Sequence, residues 1–263
     1  MNDTPIGIID SGLGGLTVWQ SIRTLLPNES TIYVGDHAFV PYGTKSRTTI
    51  RKRIIRILLY LRERNIKLAI IACNTATVAG IDWYRTQMRD IPIIGVVPVI
   101  KTAGETSKTK KIIVLSTPYT KKSSYQKELI KKFTADCEVQ TIAASPLVGL
   151  VEKGETDSEN AKRTIRNIFK RREMKNADVV VLGSTHFTFL EGTIRAMLGS
   201  GVAVLDSGAA VARHVGRVLE ARGEIARKQE ASHVFYTTGN LKWVSRVATK
   251  LMGAPMTFVY AKL

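Results

Sequence analysis

A chain of 263 residues, 44% of them hydrophobic, is long enough for one large domain or two modest ones and too apolar for intrinsic disorder. No apolar run approaches the roughly 20 residues that cross a bilayer, and the opening Met1-Asn-Asp-Thr-Pro-Ile-Gly lacks the basic and apolar regions of a signal peptide. The two cysteines, Cys73 and Cys137, have no metal-ligand spacing, so neither a disulfide framework nor a zinc site is supported, and a soluble cytoplasmic protein is expected despite an unusual formal charge of +17.

In chain order, short runs rich in Ile and Val alternate with longer amphipathic segments. The runs predict strands at Ile6–Ile9, Thr31–Val34, Leu68–Ala72, Ile91–Val97, Lys111–Leu115, Glu138–Ala143, Val179–Leu182, Val202–Leu205, His233–Tyr236 and Met256–Tyr260. Most are continuously apolar, as strands buried on both faces of a parallel sheet are. Helices are predicted between them, among others at Thr48–Arg64, Ser123–Phe133 and Asn160–Arg172. This alternation implies an α/β fold with mainly parallel sheets.

A weak repeat divides the chain. Ile6-Gly-Ile-Ile-Asp-Ser-Gly opens one half and Lys111-Ile-Ile-Val-Leu-Ser-Thr-Pro the other. Asp10 stands 63 positions before Cys73, and Ser116 stands 68 before Ser184. Two pseudo-symmetric α/β domains are therefore expected, one formed by residues 1–97 with about 206–263, the other by 98–205. Gly95-Val-Val-Pro-Val-Ile-Lys101 is the expected crossover, and the last strands are expected to return to the first unit.

Much of the positive charge lies in Lys45–Lys67 and Lys162–Lys175, where it interleaves with Ile, Leu or Phe at helical spacing. Solvated faces of amphipathic helices explain this most simply. A nucleic-acid or acidic-protein surface is the sharper reading, but no binding motif accompanies the charge.

The chemistry concentrates at strand ends. Leu68-Ala-Ile-Ile-Ala72 runs into Cys73-Asn74-Thr75, and Val179-Val-Val-Leu-Gly183 runs into Ser184-Thr185-His186. Ligands of open α/β sheets bind beyond the carboxyl ends of the strands. Two such ends could face opposite sides of one small molecule, a geometry suited to moving a proton from one face to the other. A helix starting after Cys73 would lower its thiol pKa. His186 could bond a hydroxyl or a carboxylate, or supply a proton.

Asp10-Ser11-Gly12-Leu13-Gly14-Gly15 reads as a strand-to-helix turn whose amides could take an anion. It is not a dinucleotide fingerprint, because Thr17 occupies the final glycine position. Val40-Pro41-Tyr42-Gly43 reads as a turn after the second strand. Glu152 is a candidate acid or orienting group. A hydrolase elbow G-x-S-x-G is absent around Ser184. Cys137 has no such company and reads as incidental.

Taken as an ordered set, Asp10-Ser11-Gly12, Pro41-Tyr42-Gly43, Ala72-Cys73-Asn74-Thr75-Ala76, Gly95-Val-Val-Pro98, Leu147 to Gly154 with Glu152, Leu182-Gly-Ser-Thr-His186 and Asp206-Ser207 resemble the cofactor-independent aspartate/glutamate racemase superfamily, and within it the enzymes acting on glutamate. The resemblance implies interconversion of L- and D-glutamate for peptidoglycan synthesis by two bases flanking the α-carbon, between two similar α/β domains. It implies Cys73 and position 184 as the bases, with Asp10, Glu152 and His186 assisting. Asp10, Ser11, Tyr42, Gly43, Asn74, Thr75, Thr185 and His186 match positions that hold the amino acid. No metal, pyridoxal phosphate or nucleotide is implied, and a homodimer is expected. Some members bind DNA gyrase, so a macromolecular partner stays open.

The sequence departs from that pattern at the second base, where serine stands instead of cysteine, and at Ser145, where many members carry cysteine. A thiol supplies thiolate near neutrality; a serine hydroxyl needs an adjacent base. Three outcomes stay open: Ser184 relays a proton with help from His186, the chain has been altered to remove one base, or the site has moved to one-base chemistry as in decarboxylase relatives. Aspartate, hydantoin or a malonate-type acid remain alternative substrates.

Overall fold

The computed structural model describes residues 4–170, 176–227 and 230–263. Its elements, in chain order, are β1 Ile6–Asp10, α1 Leu16–Leu25, β2 Thr31–Gly35, α2 Arg47–Arg62, β3 Leu68–Ile71, α3 Asn74–Gln87, β4 Ile93–Gly95, α4 Ile100–Thr106, β5 Lys111–Ser116, α5 Pro118–Lys122, α6 Ser124–Phe133, β6 Glu138–Ala143, α7 Ser145–Glu152, α8 Glu159–Lys170, β7 Val179–Leu182, α9 Thr185–Thr188, α10 Glu191–Leu198, β8 Ala203–Leu205, α11 Gly208–Ala221, β9 His233–Thr237, α12 Leu241–Met252 and β10 Phe258–Tyr260, with a 3₁₀ turn at Tyr42–Thr44. Each predicted strand forms within a residue or two of its expected ends. The widest difference is β4, which starts at Ile93 and not at Ile91, after Pro92, which has no amide to donate to a ladder. The far end of the helix predicted over Asn160–Arg172, and of the basic run to Lys175, lies outside the described residues.

All pairings are parallel, in two sheets ordered β10-β9-β2-β1-β3-β4 and β6-β5-β7-β8. Four adjacent strands of the first sheet, β2-β1-β3-β4, repeat the order β6-β5-β7-β8 of the second. Each order reverses direction between its first and third strands, so each sheet has a switch point there. β1 and β3 flank one and β5 and β7 the other. The internal repeat legible in the sequence is thus a repeat of topology, and β9 and β10 extend only the first sheet.

Apolar side chains bury both faces of each sheet, as the continuous runs require. Ile6, Ile8, Leu68 and Ile70 pack under α1 and α11, while Ile9, Ala69 and Ile71 pack under α2 and α3. In the second sheet Ile113, Leu115, Val180 and Leu182 face one cluster, and Ile112, Val114, Val179 and Val181 the other. The chain leaves the first sheet after β4 and comes back after β8, and these two crossings are tied where Ser207 Oγ donates to the Val97 carbonyl at 2.7 Å.

The basic helix α2 is less idle than a solvated face. Arg53 is buried and pairs with Asp36 through both Nε (2.9 Å) and Nη2 (2.7 Å). Arg47 and Arg51 each donate through Nε to the Ala79 carbonyl, at 3.0 and 2.9 Å, beside the kink of α3 at Gly80. Part of the charge is therefore consumed in holding α2 to the end of β2 and to α3.

Candidate active site

Cys73 and Ser184 occupy equivalent places. Each follows the third strand of its four-strand order, each has extended backbone (φ −85°, ψ 115° and φ −151°, ψ 137°), and each is the residue before a helix. Serine is a favoured helix cap, yet neither side chain caps its own helix. Both are buried to the same degree, 6% exposed. A thiol and a hydroxyl, neither spent on capping its helix, thus stand at corresponding strand ends.

The turn after β1 lies between these two ends. Cys73 Sγ is 3.8 Å from Ser11 Oγ. Thr185 Oγ1 donates to Asp10 Oδ2 at 3.4 Å, while Asp10 Oδ1 accepts the amide of Gly12 at 2.9 Å. Tyr33, on β2 below, donates its hydroxyl to the Gly12 carbonyl at 2.7 Å. On the opposite edge Thr75 and Thr117 share a hydroxyl hydrogen bond of 2.9 Å. The β1 end therefore meets the β7 end, and the β3 end meets the β5 end, across the line between the sheets.

Glu152, the last residue of α7, reaches into the turn. Its Oε1 accepts the amide of Leu13 at 2.8 Å and lies 2.7 Å from His186 Nε2. The anion site expected at this helix start is thus occupied, in part, by the protein's own carboxylate. The glycines serve close approach: a Cβ on Gly12 would lie 2.1 Å from Glu152 Oε1, and one on Gly14 would lie 2.3 Å from His186 Nδ1.

The ionisable groups respond to this enclosure. Burial would raise the Glu152 pKa, but the hydrogen bond and charge of His186, with His37 and the Leu13 amide, outweigh it and hold the carboxyl below its ordinary range. Burial would lower the His186 pKa, but its bond to Glu152 and the charges of Asp10 and Glu152 raise it instead. An ionised pair is the consistent state. Cys73 departs from the sequence expectation. Burial, followed by the charge of Asp10, pushes its thiol up to about 12, against smaller opposing contributions from the Ala76 amide, Ser11 and the Thr75 amide. The helix start acts in the expected direction and is overruled by desolvation.

Asn74 is buried and its Oδ1 has no hydrogen-bond partner, leaving an acceptor open to an ammonium group. Gly43 lies against Thr117, where a Cβ would approach that side chain to 3.2 Å. Tyr42 is buried, but its hydroxyl is spent on Asp36 Oδ2 at 2.6 Å, which leaves its backbone as the part able to face a ligand. Cys137 is half-buried beside Asp136, in the loop before β6. The sequence reading missed His37, whose Nε2 lies 3.7 Å from Glu152 Oε2, and Thr117 with Thr120, which bond Thr75. The only signal for His37 was its place between Asp36 and the Pro41-Tyr42-Gly43 turn.

The arrangement offers a thiol and a hydroxyl at matched strand ends, an ionised Glu–His pair beside the hydroxyl's helix, and a buried carboxylate and amide oxygen beside the thiol. Such a set can hold a zwitterion and exchange protons with it.

The chain resembles known proteins along most of its length. A family model described as Asp/Glu/Hydantoin racemase matches residues 6–215. The glutamate racemase of Ralstonia pickettii (strain 12J) is 39% identical over 253 residues, covering 96% of this chain and 89% of its own. Among solved structures, glutamate racemase isoform RacE1 from Bacillus anthracis superposes with a TM-score of 0.89 at 27% identity, covering 100% of this chain and 99% of its own. Glutamate racemase from Francisella tularensis, solved in complex with D-glutamate, gives a TM-score of 0.86 at 27% identity, with coverage of 100% and 98%.

Proposed function

The chain belongs to the Asp/Glu/Hydantoin racemase family, and from that premise we propose a mechanism in which Cys73 and Ser184 address opposite faces of one α-carbon. The protein is an isomerase that interconverts L- and D-glutamate. The observation that supports the assignment of roles is the match between the two strand ends, each presenting a nucleophile that does not cap the helix after it.

The two lobes are residues 1–97 with about 206–263, and 98–205, and the amino acid sits between them. Its ammonium group goes to Asp10 and the free Asn74 Oδ1; its α-carboxylate goes to hydroxyls and amides around Ser11, Thr75, Thr185 and the Tyr42-Gly43 backbone. The bound ammonium offsets the Asp10 charge that burdens the thiol, so substrate itself brings the Cys73 pKa down. The thiolate then takes the α-proton from the enantiomer whose Cα–H bond faces it. Ser184 delivers a proton to the other face and is reprotonated through His186, which Glu152 keeps charged. In the reverse direction Ser184 must be the base, which is the harder task for a hydroxyl. D-Glutamate made in this way supplies peptidoglycan synthesis. The reading includes a homodimer in the cytoplasm.

Because the two enantiomers have equal free energy, kcat/KM is the same in both directions, and the weakness of the serine must show elsewhere. In D₂O one enantiomer should exchange its α-proton faster than it inverts, since Cys73 can return a solvent deuteron to the same face. The other should exchange no faster than it inverts. Ser184→Cys should raise kcat roughly tenfold or more, within the usual reach of acid–base groups, and equalise the exchange. Absence of any L- or D-glutamate turnover by the folded chain and by Ser184→Cys would refute the proposal.

A further inference from the structure

Glu152 is approached from two sides, and only one of them belongs to the pattern of residues that suggested the function. On one side is His186. On the other is His37, in the loop after β2, with Nε2 3.7 Å from Glu152 Oε2. That separation is an ion-pair distance, too long for a hydrogen bond. His37 Nε2 is buried and has no hydrogen-bond partner, a costly state for a polar ring atom unless a charge compensates it. The nearby Asp36 cannot compensate, because its oxygens are taken by Arg53, Tyr42 and Thr238.

The ring is held to present this atom. Nδ1 lies 2.7 Å from Thr237 Oγ1 and 3.1 Å from the Gly35 carbonyl. Thr237 Oγ1 is itself fixed by the amide of Gly239 at 2.9 Å. Phe258 packs edge-on, with ring centroids 6.3 Å apart at 88°. Gly35 and Gly239 leave the niche open: a Cβ on either would come within 2.5 and 2.6 Å of the imidazole side chain. β2, β9 and β10 thus aim one nitrogen of His37 at a carboxylate from the other half of the molecule.

We propose that His37 is a positioning residue for the racemisation, clamping Glu152 against His186 so that the Glu152–His186 pair beside Ser184 keeps one geometry. The inference rests on the functional reading above. His37 touches no reacting atom; it acts through Glu152. It also ties the first sheet to α7, so the Glu152 carboxylate is fixed by both halves at once.

Two variants separate this role from simple loop support. In His37→Asn the side-chain amide replaces Nδ1 and keeps the Thr237 contact, but nothing reaches Glu152. In His37→Gln the amide extends to the place of Nε2. We expect kcat to fall roughly five- to thirtyfold in His37→Asn with KM nearly unchanged, as for a positioning defect, and to recover in His37→Gln. A readout that needs no turnover is the imidazole proton of His186 bonded to Glu152, followed by proton NMR in the free protein. It should shift in His37→Asn and return in His37→Gln. A resonance unchanged across all three proteins overturns the proposal, as does rescue of kcat by Asn but not Gln. If the unaltered chain shows no racemisation, the functional reading fails, and the NMR comparison still decides whether His37 sets the Glu152–His186 bond.

Discussion

The amide of Leu13 donates to Glu152 Oε1 at 2.8 Å, across 139 positions of sequence. A glycine-flanked turn from the first half of the chain is closed by a carboxylate from the second. That bond, with Glu152–His186 at 2.7 Å, joins the turn after β1 to the Glu–His pair, as the Ser11 contact joins it to the thiol.

The first consequence concerns Gly14. Its missing side chain leaves room for His186, whose Nδ1 would lie 2.3 Å from a Cβ there. Gly14→Ala should displace the imidazole and lower kcat roughly a hundredfold, the usual effect of misplacing a catalytic group by about 1 Å. The loss should be kinetic more than structural. Steady-state rates alongside circular dichroism would check it, and a fully active Gly14→Ala protein would contradict it.

Cys73 should label slowly. With its thiol near 12, the thiolate fraction at neutral pH is smaller than that of a free cysteine by roughly three orders of magnitude. In a Cys137→Ser background, iodoacetamide labelling followed by mass spectrometry should rise about tenfold per pH unit between pH 8 and 10 without levelling off. Asp10→Asn removes the second-largest cause of the shift and should accelerate labelling at fixed pH.

The Glu152–His186 pair sets a pH window for stability. His186 lies above its ordinary 6.5 when folded, so its contribution is complete below that value and is lost as pH rises through the folded pKa. Glu152 lies below its ordinary 4.5, so its contribution is complete above that value and is lost as pH falls through the folded pKa. The pair therefore stabilises most between these two values. Urea unfolding of the unaltered chain and of His186→Gln should differ more at pH 5.5 than at pH 8.5. A difference independent of pH would mean that folding leaves the His186 pKa unshifted, against this expectation.

Arg53 anchors the loop that carries His37, Tyr42 and Gly43. It pairs with Asp36, which is fully buried and also accepts from Tyr42 and Thr238. Arg53→Ala would leave that carboxylate buried without its cation, a change that typically costs about 3–5 kcal/mol. Denaturant midpoints should report it. Arg53→Ala paired with Asp36→Asn should recover part of the loss, because no charge is then stranded.

The α/β class, the positions of the strands and the two nucleophile-bearing ends were legible along the chain. The reason is local: a strand buried on both faces must be apolar throughout, as Leu68–Ile71 and Val179–Leu182 are. The ordered short motifs made the family legible for the same reason, since each occupies a single strand end. What the tertiary structure alone decided are the relations between those ends. That β9 pairs with β2, that Glu152 fills the turn at Gly12 and that His37 faces Glu152 depend on residues far apart in sequence meeting in space. The state of the Cys73 thiol belongs to this second kind. A helix start could be foreseen from neighbouring residues, but the burial that outweighs it is a property of the packed whole.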